Sequence, residues 1–298
     1  MRDPRLLDLL SDRSITLTTG VFDALSARLA ERAGFAAAML SGYSVAGAAL
    51  AEPDFGILTQ TEMLDVARRV VRAVRMPILV DGDTGGGGVV NVQRLVVELV
   101  GMGAAGVFLE DQVWPKRCGH MRGKAIVPLE EHVEKIAAAR DAKGDADFLI
   151  VGRTDARAVE GLDEAIRRGL AMKKAGADLV FIEAPQGIDE MRRITAEIPP
   201  PLLVNMVEGG HTPLLPLEQL EEIGYEVAVY PVTGILTAAR ALEQAYNHLA
   251  ACGDTSAIKD RMMGFDEFGS LVGLEEKYAL AEKYRSPEPA RGETSSFK

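Results

Sequence analysis

A stretch near the middle of the chain, FLEDQVWPKRCGHMRGK (residues 108–124), concentrates reactive side chains. It holds the adjacent carboxylates Glu110 and Asp111, the cations Lys116 and Arg117, and then Cys118, Gly119 and His120. Cys118 is one of only two cysteines in the chain. It is flanked by cations, followed by glycine, and has no apolar run to bury it. Such surroundings suit a thiolate, or a thiol that delivers a proton with help from Lys116 and His120, better than an inert core cysteine. Cys252, in LAACGD at a helix end, is the contrasting structural case. Trp114 either packs the loop or walls a pocket, and His132 and His248, on helical patterns, are expected to face solvent.

Other polar groups stand directly after apolar runs. They are Ser41, Gly42, Tyr43 and Ser44 in LSGYS, Asp81 and Asp83 in VDGDTGGGG, and Arg153 and Asp155 in GRTDAR. Glu183 follows in IEAP, Asn205 and Glu208 in VNMVEGG, and Thr233 in YPVTG. Asp81, Asp83 and Glu110 are too many carboxylates to lie together unpaired, because like charges in a cleft raise one another's proton affinity. A hard divalent cation resolves the conflict, and few protein ligands with several waters is the pattern of Mg2+. Any one of these carboxylates could instead cap a helix or pair with an arginine. GDTGGGG lacks the G-x-G-x-x-G spacing of a dinucleotide loop and reads as a tight, mobile turn beside the metal.

The elements that must position these groups are legible from the hydrophobic pattern. Four segments repeat a helix, a glycine and a β-rich run: LAERAGFAAAML, ELVGMGAAGVFLE, MKKAGADLVFIEA and QLEEIGYEVAVYP. Glycine just past a helix provides a left-handed cap, and an apolar run after it suits a strand buried on both faces. Similar runs in SITLTTG, MPILVD, DFLIVGR and PPLLVNM bring the candidate strands to eight, beginning near residues 14, 35, 76, 106, 147, 178, 201 and 226. Amphipathic patterns such as QTEMLDVARRVVRAV lie between them. Eight alternating units predict a closed (β/α)8 TIM barrel, with a doubly wound open sheet as the competitor, and in a barrel the strands' C-terminal ends converge on one functional face. Residues 1–284 read as a single domain and residues 285–298 as a mobile tail. The helical segment from Ala257 to Tyr284 either caps its own barrel or packs on a neighbour.

The composition, 47% hydrophobic and 26% charged, supports a full core in the 298-residue chain. A net charge of −11, with scattered basic residues, argues against nucleic acid or an anionic membrane as partner. The absence of a long apolar run or signal-like N-terminus, with two distant cysteines, predicts a soluble cytoplasmic protein.

EDQ…KRCGH, with SG…S, DxD, GRTDAR, EA and NM.EGG in order, resembles the isocitrate lyase/phosphoenolpyruvate mutase superfamily over roughly residues 15–250. LSGYS, PDFG and DGDTGGGG are most similar to its alkylmalate-cleaving members. The resemblance implies a barrel that exchanges its C-terminal helix with a neighbour, in a homotetramer made of two helix-swapped dimers. It implies Mg2+, with Mn2+ as substitute, and cleavage of a C–C bond in a small-molecule 2-hydroxy dicarboxylate to a 2-oxo acid and a monocarboxylate. The metal set carried over is Asp81, Asp83, Glu110 and Asp54, with Asp83 as direct ligand and Asp54 and Asp81 on metal-bound waters. The catalytic set is Cys118, Lys116, His120, Arg153 and Glu183. The substrate set is Ser41, Gly42, Tyr43, Gly119, Arg153, Asn205 and Thr233. Isocitrate and methylisocitrate lyases carry hydroxyl side chains shortly after the strand-7 asparagine to bind a third carboxylate, and this chain has Val207 there. An apolar group leaves a buried carboxylate unpaired, which favours an alkylmalate of the 2,3-dimethylmalate type over a tricarboxylate. The alternatives in the same fold are 2-methylisocitrate lyase, oxaloacetate hydrolase or decarboxylase, and carboxyphosphonoenolpyruvate phosphonomutase. A non-enzymatic binding protein would predict loss of the carboxylates or the cysteine, and neither is lost.

Overall fold

The computed structural model describes residues 14–285. Strands and helices alternate in the order β1 (Thr16–Val21), α1 (Ala24–Arg32), β2 (Ala37–Leu40), α2 (Gly42–Val45), α3 (Gln60–Ala73), β3 (Ile78–Asp81), α4 (Val89–Met102) and β4 (Gly106–Glu110). They continue as α5 (Leu129–Lys143), β5 (Leu149–Thr154), α6 (Ala156–Val159), α7 (Leu162–Ala175), β6 (Leu179–Ile182), α8 (Ile188–Glu197), β7 (Leu202–Asn205), α9 (Leu217–Ile223), β8 (Val227–Tyr230) and α10 (Thr233–Cys252). The eight strands pair in parallel in chain order, and β1 closes on β8. The protein is therefore a (β/α)8 barrel, and each strand begins within two residues of its expected start.

Local signals account for the helix boundaries. Asp23 and Ser26 form a reciprocal capping box at the start of α1, and Thr59 and Glu62 form another at α3. The four repeated glycines, Gly34, Gly103, Gly176 and Gly224, all turn the chain left-handed, with φ between 84° and 108°. These are the caps that a side chain would strain.

Two apolar layers build the core. Alternate strand residues, among them Met39, Leu79, Phe108, Val151, Phe181 and Leu203, fill the barrel interior. The residues between them pack against the surrounding helices. Phe108 and Phe181 meet edge to face, with ring centroids 6.4 Å apart. α5 departs from expectation: His132 is fully buried rather than solvent-facing, its Nε2 lying 3.2 Å from the sulfur of Met172. Burial pushes its imidazole down to about 3, so it is neutral.

The chain divides into two compact units after Ala241. The first contains the barrel. In the second, a 3-10 turn (Ser256–Arg261), α11 (Phe265–Leu271) and α12 (Leu274–Lys283) follow the end of α10. α10 itself carries no buried residue. The expected mobile tail lies, from residue 286 onward, outside the described residues. Among the described residues no helix is long and apolar enough to cross a membrane.

Candidate active site

The inward alternation that fills the barrel also builds the site. Two residues beyond Met39, Leu79, Phe108, Val151, Phe181 and Leu203 come Ser41, Asp81, Glu110, Arg153, Glu183 and Asn205. The period-two pleat carries each apolar floor residue to a polar group one layer higher at the strand's C-terminal end. All six are buried. Glu110 and Arg153 are register partners on β4 and β5. Arg153 lies over the Phe181 ring at 5.3 Å, so an aromatic floor supports the ionic layer.

The adjacent carboxylates Glu110 and Asp111 face opposite ways. Asp111 accepts from Thr154 Oγ1 at 2.5 Å, from the Asp155 amide at 2.9 Å and from Arg168 of α7 at 3.0 Å. It clamps β4 to β5 and α7, a structural task. Glu110 meets only Arg153, whose Nε is 3.4 Å from Oε2, and its Oε1 is buried with no partner. Burial pushes the Glu110 carboxyl well above its usual range despite Arg153 and Lys116.

Asp81 accepts the Gly42 amide at 3.1 Å on Oδ2 and the Asp83 amide at 3.1 Å on Oδ1. The Gly42 amide, expected on the substrate, donates to Asp81 here. Lys116 Nζ lies between Asp54 and Asp83, 2.6 Å from each. Burial pushes Asp83 up to about 7, against the pull of Lys116 and aided by Asp81 and Asp54. Four carboxylates therefore share one ammonium and the edge of one guanidinium. Among the described residues no three His, Cys, Asp or Glu side chains are arranged to hold an ion by themselves. The all-oxygen donor set, the partnerless Glu110 Oε1 and the excess negative charge fit Mg2+ held by few protein atoms and mostly by water.

Glu183 is the second ionic hub. Its Oε2 is 3.1 Å from Arg153, its Oε1 is 3.2 Å from His120 Nε2, and the Ala184 amide donates to Oε1 at 3.0 Å. Burial opposes ionisation, but Arg153 and the bond from His120 overcome it and hold Glu183 down to about 2. Asn205 Nδ2 faces both Glu183 oxygens at 3.4 Å, which leaves its buried Oδ1 without a partner.

The loop with Cys118 covers these groups. Gln112 clamps it through two bonds to the Arg117 backbone, at 2.8 and 3.0 Å. Arg117 stacks over Phe55 at 4.6 Å, the Cys118 amide bonds the Asp54 carbonyl at 3.1 Å, and Lys124 bonds both the Gly119 carbonyl and Asp155. Gly119 sits so close to Glu183 that a Cβ would fall 2.5 Å from its carboxyl carbon. The cation-flanked sequence suggested a thiolate as one option, but burial pushes the Cys118 thiol up to about 11. Lys116 is spent on Asp54 and Asp83, so Cys118 is a protonated thiol at neutral pH, a state suited to giving up a proton.

Beneath the loop is a cavity of about 210 Å³ lined by Ser41, Tyr43, Asp54, Asp81, Cys118, Gly119, His120, Arg153, Glu183 and Asn205 together with Val207, Val229, Val232 and Leu236. Glu208 also lines it and accepts from Thr233 Oγ1, so Thr233 stands behind Glu208. A larger cavity, about 690 Å³, lies on the other side of Asp81 and Asp83 against Trp114 and the four-glycine loop. It lacks Cys118, Arg153 and Glu183, so the smaller cavity is the candidate site. Cys252 is exposed, with its sulfur 3.9 Å from His248 Nδ1. Gly210 and His211, which both meet His120, escaped the sequence reading. Their only signal was that they follow NMVE in one loop.

The phosphoenolpyruvate phosphomutase family model matches residues 6–250. The petal death protein of Dianthus caryophyllus is 49% identical over 94% of this chain and 89% of its own length. The 2,3-dimethylmalate lyase of Eubacterium barkeri is 45% identical over 94% of this chain and 97% of its own. An oxaloacetate acetylhydrolase bound to 3,3-difluorooxalacetate superposes with a TM-score of 0.89 and 31% identity, covering 94% of this chain and 95% of that one. With this fold, this ionic layer and this lid over one cavity, the chain belongs to the phosphoenolpyruvate mutase/isocitrate lyase superfamily, as one of its carbon–carbon lyases.

Proposed function

We propose that the protein cleaves the C2–C3 bond of a 2-hydroxy dicarboxylate of the 2,3-dimethylmalate type, giving a 2-oxo acid and a monocarboxylate. The observation that carries the reading is the composition of one cavity: a protonated thiol, a buried arginine, a carboxylate cluster and the apolar lining residues Val207, Val229, Val232 and Leu236. The apolar lining suits alkyl substituents and gives a third carboxylate no partner.

Mg2+, when bound by Asp81 and the neighbouring Asp54, Asp83 and Glu110, supplies Lewis acidity toward the 2-hydroxyl and adjacent carboxylate oxygens. Asp81 suits the direct contact better than Asp83, because its oxygens accept only backbone amides whereas Asp83 is tied to Lys116. Whichever of Asp83 and Glu110 is ionised can receive the hydroxyl proton, since burial raises the proton affinity of both. As C2–C3 breaks, the departing fragment carries an enediolate whose charge Arg153 stabilises. Cys118 then protonates its carbon from the lid side. Glu183 and His120 hold Arg153 and the lid in register, and the lid excludes water that would compete as proton donor. Ser41 and Tyr43 line the oxo-acid end.

The reading includes a cytoplasmic homotetramer of helix-exchanged dimers. In its support, α10 has no buried residue, and Tyr246, Phe265 and Tyr278 expose large apolar surfaces. On the barrel, Leu17 of β1 and Leu25 and Leu29 of α1 are exposed as well. Apolar surface of this extent is typical of subunit interfaces.

The test is a keto-acid release assay with Mg2+ on 2,3-dimethylmalate, 2-methylisocitrate and oxaloacetate, for the parent and Cys118→Ser. Pyruvate from the alkylmalate, lost in the variant, supports the reading. Strong preference for either other substrate overturns the argument from Val207.

A further inference from the structure

Cys118, Arg153 and the carboxylates leave one contact of the lid unused, that between His120 and the loop after β7. The His211 amide donates to His120 Nδ1 at 3.0 Å. The two imidazoles stack with centroids 5.7 Å apart and planes 25° from parallel. Gly210 makes the approach: a Cβ there would lie 2.7 Å from His120 Nδ1 and 3.0 Å from the Cβ of Val207. The Gly210 amide bonds the Val207 carbonyl at 3.0 Å, closing the turn that aims the next amide at the ring.

A backbone N–H can only donate, so Nδ1 must accept, and the proton of a neutral imidazole is then on Nε2. That nitrogen lies 3.2 Å from Glu183 Oε1, within ionic reach but not aligned as a hydrogen bond. Protonating Nδ1 would set two N–H groups head to head and leave the amide unpaired. The geometry points to Gly210–His211 as a positioning element that fixes His120 in its Nε2–H tautomer and holds the ring beside Glu183, so that the β7 loop sets the orientation of the Cys118 loop. This inference rests on the lyase reading for its effect on turnover, but not for its effect on the ring.

The experiment is 15N NMR of imidazole-labelled protein, read alongside turnover of 2,3-dimethylmalate. In the parent, the His120 signals should have an unprotonated Nδ1 and a protonated Nε2, with His120→Gln as the assignment control. His211→Ala keeps the amide and should keep that pattern. His211→Pro removes the donor and should give mixed tautomers or imidazolium. A fall in kcat of about tenfold or more with little change in KM should accompany it, within the range of misplaced acid–base groups. Gly210→Ala, which keeps every donor but pushes on the ring, should alter the His120 signals in the same direction if His211→Pro does not fold. A parent with Nδ1 protonated, or a folded His211→Pro with the parent pattern, overturns the proposal even if turnover falls. A parent inactive on all three substrates with the expected tautomer would instead count against the lyase reading alone.

Discussion

At Cys118 the local sequence and the fold pull in opposite directions. Neighbouring cations favour a thiolate, but the ammonium of Lys116 is turned away toward two carboxylates and the thiol is half-buried in its own loop. With the thiol raised to about 11, alkylation of Cys118 by iodoacetamide near pH 8 should be slower than that of exposed Cys252, as mass spectrometry of the two peptides will measure. Asp83 gives a second titration with a definite sign. Its ordinary value is 3.8 and its folded value about 7, so between these the folded protein holds a proton that the unfolded chain has released. Stability without metal therefore falls as pH rises through that window. A cation needs the ionised carboxylate, so the rise in melting temperature on adding Mg2+ should be larger at pH 8.5 than at pH 5.5. Asp83→Asn should flatten the difference in a thermal melt series. These pairings were not legible in the sequence. The residue types were, but Lys116 meets Asp54 and Asp83 only through contacts between loops far apart in the chain, and His132 lies on a helix whose apolar periodicity is weak.

At the scale of elements, more was legible. The helix–glycine–strand repeat located the strands, and the alternation within each strand carried the site residues to the inner layer. What the pattern could not supply was how the loops above the strands lock together. The 112–124 loop is held by Gln112, by Arg117 on Phe55, by Lys124 on Asp155 and by the buried Lys116 ion pairs. Lys116→Met leaves two buried carboxylates uncompensated, a loss of about 3–5 kcal/mol for a comparable buried pair. Amide hydrogen exchange across residues 112–124 should accelerate strongly in that variant, with exchange in β4 and β5 unchanged. Gly119→Ala should reduce kcat more than Val207→Ala, because its Cβ collides with the Glu183 carboxyl whereas the valine is only part of the apolar lining. Steady-state kinetics on 2,3-dimethylmalate decides that ordering.

At the scale of the whole molecule, the barrel core is complete while α10 and the second unit expose Tyr246, Phe265, Tyr278 and Tyr284. From the sequence pattern alone, the segment from Ala257 to Tyr284 could serve its own barrel or a neighbour's. Light scattering should give four times the chain's 32.0 kDa. Phe265→Glu together with Tyr278→Glu should lower that mass, because a charge in an apolar interface costs several kcal/mol of desolvation.

The back-to-back carboxylates of β4 bear on how such a chain can diversify. A single residue inserted into or deleted from that strand would turn Asp111 toward the ionic layer and Glu110 toward α7, exchanging a cation ligand for a clamp without changing the residues present. The same parity governs β2, β3, β5, β6 and β7, since each contributes its terminal group from the inner face. A change of specificity is therefore easier by point substitution, or by loops of new length around residues 207–212, than by an insertion or deletion within the strands.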